Sequence, residues 1–201
     1  MTSKQHLLQT LHFPRYAELP DLGLYMDQVI SVMEKYLAPF TLDEEENLIT
    51  STMINNYVKQ RLIPAPSKKR YGSDHLAQLF ICTLLKQVLT LSELDCILSA
   101  LRSEGCDLGA AYDSFCSELE IAIHTVFGGG EYAPKLYGDE AHILLHTACG
   151  AYAYQLRSRH LIRALYPEQD GKSEDKPEKS EKKKKSKKNA PEHNPGEEVE
   201  A

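Results

Sequence analysis

The sequence has no tryptophan, no Cys-x-x-C pair and no apolar run long enough to span a membrane. Residues Met1 to Thr10 also lack the apolar stretch of a secretory signal. The five cysteines are an odd number, scattered through apolar helical patterns, which does not suggest a disulfide framework. These absences predict a cytoplasmic protein without membrane contact, whose thiols are reduced and buried.

Hydrophobic periodicity predicts an all-α fold class over most of the chain. Of 201 residues, 42% are hydrophobic, which is enough for a sizeable core. Helical spacing favours helices over about 21–37, 51–63, 74–88, 91–104, 108–127 and 139–165, and no useful strand-like alternation appears. Thr90-x-x-Glu93 is a predicted capping box for the fourth of these helices, and Asp107 is the predicted cap of the fifth. The predicted organisation is an N-terminal arm (1–20), a helical domain (21–105), a helical support or dimerisation element (106–167) and a tail (168–201).

The tail from Glu168 to Ala201 has a different composition from the rest. It contains nine Lys and ten Asp or Glu, with almost no apolar side chain. Such a segment cannot bury enough apolar surface to offset its ordering entropy, so it is predicted to be disordered. The Lys182–Lys188 run could hold DNA non-specifically, but a solvated tail is the simpler interpretation.

The most informative segment of the sequence is one that lacks acidic residues. Between Asn47 and Ser73 there is no Asp or Glu, although the chain carries a formal net charge of −6. Five basic residues lie there: Lys59, Arg61, Lys68, Lys69 and Arg70. The first part has helical apolar spacing, with Thr50 or Ser51 as a cap and Pro64 as the stop.

The opposite face of this predicted helix is polar. It carries Thr52, Asn55, Asn56, Lys59 and Gln60. Further along stand Leu62-Ile63-Pro64, then Arg70-Tyr71, the helix opening Ser73-Asp74-His75-Leu76, and the run from Leu84 through Leu94. This order resembles the winged helix-turn-helix of MerR-type transcription regulators, with Ser67 to Arg70 as a short wing and Asn55 where the family usually has Arg.

The whole of Tyr16 to Leu98 also resembles a conserved bacterial domain family of unknown function, known mainly from low-GC Gram-positive genomes. That resemblance implies no mechanism. The MerR resemblance implies a helix in the major groove and a wing whose Arg-Tyr meets phosphate.

The predicted function is DNA-binding transcription regulation, with double-stranded DNA as the partner. Expected base contacts come from Thr52, Asn55 and Asn56, since Asn suits bidentate contact with adenine. Expected phosphate contacts come from Lys59, Lys68, Lys69, Arg70 and Tyr71. A homodimer through the helix 139–165 is expected, because such regulators read paired half-sites.

A non-enzymatic protein-interaction module on the same fold is the alternative hypothesis. An exposed helix from Thr52 to Gln60 with cations beside it favours DNA. If acidic Asp43 to Glu46 instead folds across that face, a protein partner is favoured.

Other motifs have simpler interpretations beside functional ones. His142, His146 and Cys149 share a helix face that could bind a soft metal, but a His in a helix interface is commoner, and no metal site is predicted. Gly128 to Gly130 lacks the Lys and Ser or Thr of a P-loop and is predicted to stop a helix. Aromatics near small residues (Tyr132, Tyr137, Tyr152, Tyr154) could line an effector pocket, although close helix packing is commoner.

No catalytic constellation and no cofactor motif is found, so the chain is predicted not to be an enzyme.

Overall fold

Helices form the regular structure of the protein. The computed structural model describes residues 8, 10–42, 46–102, 105–133 and 140–166. These residues contain two short 3-10 helices (Tyr16–Glu18 and Ala38–Phe40), six α-helices and no named strand. The α-helices are α1 (Met26–Leu37), α2 (Ser51–Lys59), α3 (Ser73–Leu85), α4 (Leu91–Leu101), α5 (Leu108–Phe127) and α6 (Glu140–Leu165). The predicted all-α class is confirmed for this part of the chain.

Helix α3 lies at the centre of the core. Every residue from Leu76 to Leu85 is buried, which is typical of a helix surrounded on all sides. It packs against α1, α4, α5 and α6, while α1 packs on α2 and α5 packs on α6 along much of its length. Residues from the predicted segments 21–105 and 106–167 therefore share one core. The boundaries between these segments stay predictions.

The segment before α1 is packed into this core. Leu8, Leu11, Phe13 and Leu19 are buried, and the ring of Phe13 stacks on that of Phe40 with centroids 5.4 Å apart. The Glu120 carboxylate accepts hydrogen bonds from the backbone N–H of Phe13 at 2.7 Å and from both Nη atoms of Arg15 at 3.0 and 2.7 Å. The described part of the predicted arm is thus anchored to α5.

Most helix ends follow the predicted caps. Asp107 accepts a hydrogen bond from the backbone N–H of Ala110, and α5 ends at Phe127 before Gly128, as predicted. Thr90 and Glu93 form the predicted capping box of α4. Helix α1 starts later than predicted, because Leu24 is held in an extended bridge with Tyr71.

Several predictions concern thiols, the membrane and the tail. Cys82, Cys116 and Cys149 are buried as predicted, but Cys96 and Cys106 are exposed, so the prediction of burial is wrong for these two. Cys96 lies on the exposed face of α4, and Cys106 lies in the loop before α5. No helix among the described residues could cross a membrane. The predicted disordered tail, 168–201, lies outside the described residues.

Candidate nucleic-acid interface

Helix α2 has one buried face and one exposed polar face. The Thr50 side chain caps its start by accepting a hydrogen bond from the backbone N–H of Met53 at 3.2 Å. Ile54 and Tyr57 are buried in the core. The predicted base-contact residues all lie on the exposed face: Thr52, Asn55 and Asn56.

The two asparagines differ in their local hydrogen bonds. The Asn56 side-chain oxygen accepts a hydrogen bond from Nε2 of Gln60 at 3.1 Å. Within the described chain, no residue hydrogen-bonds the side chain of Asn55. Asn55 therefore presents both its donor and its acceptor to solvent.

The end of α2 is a tight left-handed turn. Arg61 has a φ of 62°, the backbone N–H of Leu62 donates to the Tyr57 carbonyl at 2.9 Å, and that of Arg61 donates to the Val58 carbonyl at 3.0 Å. These two bonds form a Schellman motif, in which glycine is the usual left-handed residue. Here an exposed arginine occupies that position.

Arg102 holds this turn in place from the end of α4. Its Nη1 atom donates to the Leu62 carbonyl at 2.5 Å and to Oε1 of buried Gln78 at 3.1 Å. Its Nη2 atom donates to the Arg61 carbonyl at 3.5 Å. The role of Arg102 could not be predicted, because a residue 40 positions from Leu62 gives no local signal of this contact.

The predicted wing is a minimal hairpin closed by a two-residue turn. The backbone N–H of Arg70 donates to the Ser67 carbonyl at 2.9 Å. Between them, Lys68 and Lys69 have φ values of 49° and 63°. Two left-handed residues in a two-residue hairpin loop correspond to a type I′ turn, which favours Asn-Gly. Lysine takes both positions, and both side chains are exposed.

The base of the wing is tied to the chain before α1. The backbone groups of Leu24 and Tyr71 exchange hydrogen bonds of 2.8 and 2.9 Å. The Arg70 guanidinium donates to the Gly23 carbonyl at 2.8 Å and to the Tyr25 hydroxyl at 2.9 Å, and lies 4.3 Å from the Tyr25 ring centroid. A Cβ atom at Gly23 would lie 2.8 Å from Cβ of Arg70, so only glycine fits there without displacement.

The predicted phosphate-contact residues therefore fall into two groups. Lys59, Lys68 and Lys69 are exposed, and no described residue forms an ion pair with them. Arg70 is exposed but already holds the wing, and the Tyr71 side chain is buried, with its pKa raised by desolvation. The first group has free ammonium groups, whereas the second builds the hairpin that carries two of them.

A further cation lies beneath α2. The Lys86 ammonium is 5.9 Å from the Tyr57 ring centroid and 3.9 Å from the Met53 sulfur. Partial burial lowers the pKa of Lys86. Burial also raises the pKa of its neighbour Cys82 to about 12. Both the thiol and the ammonium thus belong to the packing between α2 and α3.

The acidic segment before α2 is partly described. Glu46 accepts a hydrogen bond from the Leu42 backbone N–H at 2.7 Å and pairs with Nη2 of Arg159 on α6 at 2.6 Å. Asp43, Glu44 and Glu45 lie outside the described residues. The one described carboxylate of this segment is therefore bound to α6.

Residues 14–115 match a protein family described as a domain of unknown function, DUF1836. This match covers half of the chain. The chain belongs to the DUF1836 family. No curated protein and no solved structure matches it.

The DUF1836 region contains the exposed face of α2, the hairpin and Arg102. It runs from the segment before α1 as far as Phe115 in α5, so α6 lies outside it.

The predicted His142, His146 and Cys149 face lies on α6, beyond the DUF1836 match. His146 is buried, with Nδ1 2.8 Å from Oε1 of Glu118 and Nε2 2.8 Å from the Ala133 carbonyl oxygen. Both ring nitrogens are therefore occupied by protein groups. Nowhere in the described chain do three His, Cys, Asp or Glu side chains form a group that could hold a metal ion.

Tyr132 packs closely against α6. Its ring stacks on that of His146 with centroids 4.2 Å apart, and its hydroxyl donates to Glu118. A Cβ atom at Gly150 would lie 2.9 Å from two Tyr132 ring carbons. This contact matches the interpretation of aromatics beside small residues as close packing. Tyr137 lies outside the described residues.

Proposed function

We propose that this DUF1836 protein is a transcription regulator that binds double-stranded DNA through a MerR-like winged helix-turn-helix. Helix α2 enters the major groove, and the Ser67–Arg70 hairpin lies over the sugar-phosphate backbone. Regulators of this kind read paired half-sites as dimers, and we propose the same stoichiometry.

The hairpin turn carries the proposal. Left-handed backbone at a non-glycine residue costs on the order of 1 kcal/mol, and it commonly persists at functional sites. The described residues include three non-glycine positions with positive φ: Arg61, Lys68 and Lys69. All three are exposed cations in the acid-free stretch. A purely structural turn would gain stability from glycine or asparagine there, so the cations have a role that outweighs the strain.

The exposed face of α2 has the chemistry needed to read bases. An asparagine side chain can donate from its Nδ2 atom to adenine N7 and accept at its Oδ1 atom from adenine N6, which is the pattern that distinguishes adenine in the major groove. Asn55 is exposed with its amide unoccupied, and Thr52 lies one turn earlier on the same helix. The buried Ile54 and Tyr57 fix the orientation of this face.

Positive charge is concentrated on the surface formed by α2 and the hairpin. The chain is acidic overall, which opposes generic attraction to nucleic acid. Lys59, Lys68 and Lys69 nonetheless present ammonium groups that no described carboxylate neutralises. Each phosphate contact made by such a group releases counterions and adds to affinity whatever the sequence.

Arg102 and Arg70 act as positioning residues in this proposal. Arg102 fixes the turn after α2, and Arg70 fixes the hairpin against Gly23 and Tyr25. A rigid connection between the reading helix and the wing reduces the ordering cost of binding DNA.

The proposal is tested by selection from genomic DNA. Purified full-length protein is mixed with sheared genomic fragments, and the retained DNA is sequenced. We expect one enriched motif arranged as two half-sites. Asn55→Ala should cost roughly 1–3 kcal/mol on that motif and leave binding to scrambled DNA unchanged.

Ser31→Ala serves as the matched control, since Ser31 is an exposed polar residue on α1. It should retain the enriched motif. If the wild-type protein enriches no motif, the DNA proposal fails and the protein-interaction alternative takes its place.

A further inference from the structure

The outer face of α6 carries a continuous uncharged stripe. Its residues follow alternating three- and four-residue steps, and every one is exposed: Leu144, Thr147, Ala151, Tyr154, Ser158, Leu161 and Leu165. This is the a/d spacing of a helix that packs along a second helix. The buried face of α6, which includes Cys149, Ala153 and Leu156, lies on the opposite side and contacts the core.

Of the three hydroxyls on the stripe, that of Tyr154 accepts from the backbone N–H of Tyr132 at 3.4 Å, and the two aliphatic ones are satisfied within α6. Thr147 Oγ1 donates to the Ile143 carbonyl at 2.8 Å, and Ser158 Oγ donates to the Tyr154 carbonyl at 2.9 Å. Neither the Thr147 nor the Ser158 hydroxyl proton needs a water partner, so these two positions can be desolvated at low cost.

Exposed apolar side chains are concentrated on this helix. Between Glu140 and Tyr166, six large hydrophobic side chains are 46% to 68% exposed: Leu144, Tyr154, Leu161, Ile162, Leu165 and Tyr166. At roughly 100 Å² of exposed surface each, they would remove about 600 Å² from water per copy. Two copies therefore approach the roughly 1,200 Å² at which stable interfaces begin.

We propose that the stripe is a homodimer interface in which α6 of one copy pairs antiparallel with α6 of a second copy. A twofold interface must be self-complementary. From its N-terminal end the stripe runs from Leu144 through Thr147 and Ala151 to Tyr154, and from its C-terminal end it runs from Leu165 through Leu161 and Ser158 to the same tyrosine. Antiparallel pairing places Leu144 on Leu165 of the second copy, Ala151 on its Ser158, and the two Tyr154 rings beside the axis.

Charge also favours the antiparallel direction. The C-terminal half of α6 carries Arg157, Arg159 and Arg163, whereas residues 140–156 contain no Lys or Arg and begin with Glu140. Parallel pairing would bring the two arginine-rich halves side by side. Antiparallel pairing separates them and sets the helix dipoles in opposition.

An apolar groove adjoins the N-terminal end of the stripe. It has a volume of about 380 Å³ and lies between α4, α5 and α6, with Ile97, Phe115 and Leu144 among its lining residues. Antiparallel pairing brings the last turn of α6 of the second copy, with Ile162 and Leu165, and the following Tyr166 to this end. The same dimer thus covers both the stripe and the mouth of the groove.

The interface supplies the dimer on which the proposed function rests. Its test contains no DNA, so a failure of the interface is distinguishable from a failure of DNA binding. The molar mass of the full chain is measured by light scattering at tens of micromolar for the wild type, Ala151→Glu, Ser158→Lys and the double variant. We expect twice the 22.7 kDa chain mass for the wild type. Each single substitution should weaken the dimer at least about tenfold, because it places one unpaired charge from each copy in the seam.

The double variant separates the two orientations. In the antiparallel seam, the carboxylate introduced at position 151 faces the ammonium introduced at position 158 of the second copy, so the dimer should be restored. In a parallel seam each introduced charge faces its own kind, and the dimer would stay weak.

Ala164→Glu is the matched control, since Ala164 is exposed on α6 but lies off the stripe. It should remain dimeric, and circular dichroism should show that all four variants are folded. A monomeric wild type overturns the proposal. So does a monomeric double variant, or an Ala164→Glu protein as monomeric as Ala151→Glu.

Discussion

Single side chains fix the positions of segments that are distant in sequence. Glu120 is the clearest case, because its buried carboxylate binds Arg15 through two parallel hydrogen bonds and also accepts from the Phe13 backbone. Bidentate pairing of this kind is both directional and strong.

Removing that carboxylate should be costly. Glu120→Ala leaves the Arg15 guanidinium and the Phe13 N–H without their acceptor, and we expect a loss of about 3 kcal/mol in the free energy of unfolding. Urea denaturation measures it. The exposed Glu34→Ala should change stability by less than about 0.5 kcal/mol. Equal effects of the two substitutions would show that the Glu120 contacts do not stabilise the fold.

Lys69 allows backbone strain to be separated from charge. Lys69→Gly relieves the left-handed φ and should raise the free energy of unfolding by about 0.5–1 kcal/mol, whereas Lys69→Ala should not. Both remove the same ammonium and should weaken DNA binding to the same extent. Chemical denaturation and fluorescence anisotropy give the two quantities. If Lys69→Gly leaves DNA affinity intact, the lysine has no role in binding.

Helix packing depends on one close approach between α6 and the loop after α5. Gly150→Ala gains up to about 1 kcal/mol of helix propensity, but its methyl group would lie 2.9 Å from the Tyr132 ring. The ring is held by Glu118 and His146, so we expect a net loss of about 1–2 kcal/mol.

A Tyr132→Ala background tests that explanation. Without the ring, the Gly150→Ala substitution should become stabilising by about 1 kcal/mol, and thermal unfolding of the four proteins in the cycle measures the change in sign. A loss that persists without the ring would assign the effect to another contact.

The helices were predictable because each carries its own local signals. The Thr90–Glu93 capping box, the Asp107 cap and the Gly128 stop set the ends of α4 and α5. The exposure of Asn55 follows in the same way from the apolar spacing of α2. In contrast, the late start of α1 results from a single bridge between Leu24 and Tyr71. One bridged residue produces no strand-like alternation in the sequence, so this start could not be predicted.

Side-chain roles within the candidate interface were harder to predict. Arg70 and Tyr71 were expected to contact phosphate, but Arg70 binds Gly23 and Tyr25, and the Tyr71 ring is buried. Both contacts join residues more than 40 positions apart, so no local pattern indicates them. For the same reason, the contact between Arg102 and the turn after α2 could not be predicted.

The whole molecule is acidic, and its described residues include a local surface of free cations formed by Lys59, Lys68 and Lys69. This surface predicts non-specific binding with a measurable salt dependence, because each of its ammonium groups that contacts a phosphate releases counterions. Arg70 is unsuitable for testing it, since its loss would also disturb the hairpin. Lys68 and Lys69 are exposed and hold no described partner, so their removal changes charge alone.

The decisive measurement is the salt dependence of DNA binding. Fluorescence anisotropy measures it on one duplex for the wild type and for the double variant Lys68→Ala/Lys69→Ala. Each lost phosphate contact should flatten the slope of log K against log salt by roughly 0.9, so the double variant should differ from the wild type by about 1.8. Lys35→Ala, which removes an exposed lysine from α1, should leave the slope unchanged. Salt-sensitive binding by the wild type with this reduced slope in the double variant is the predicted result. An unchanged slope, or no binding by the wild type at any salt concentration, would contradict the account.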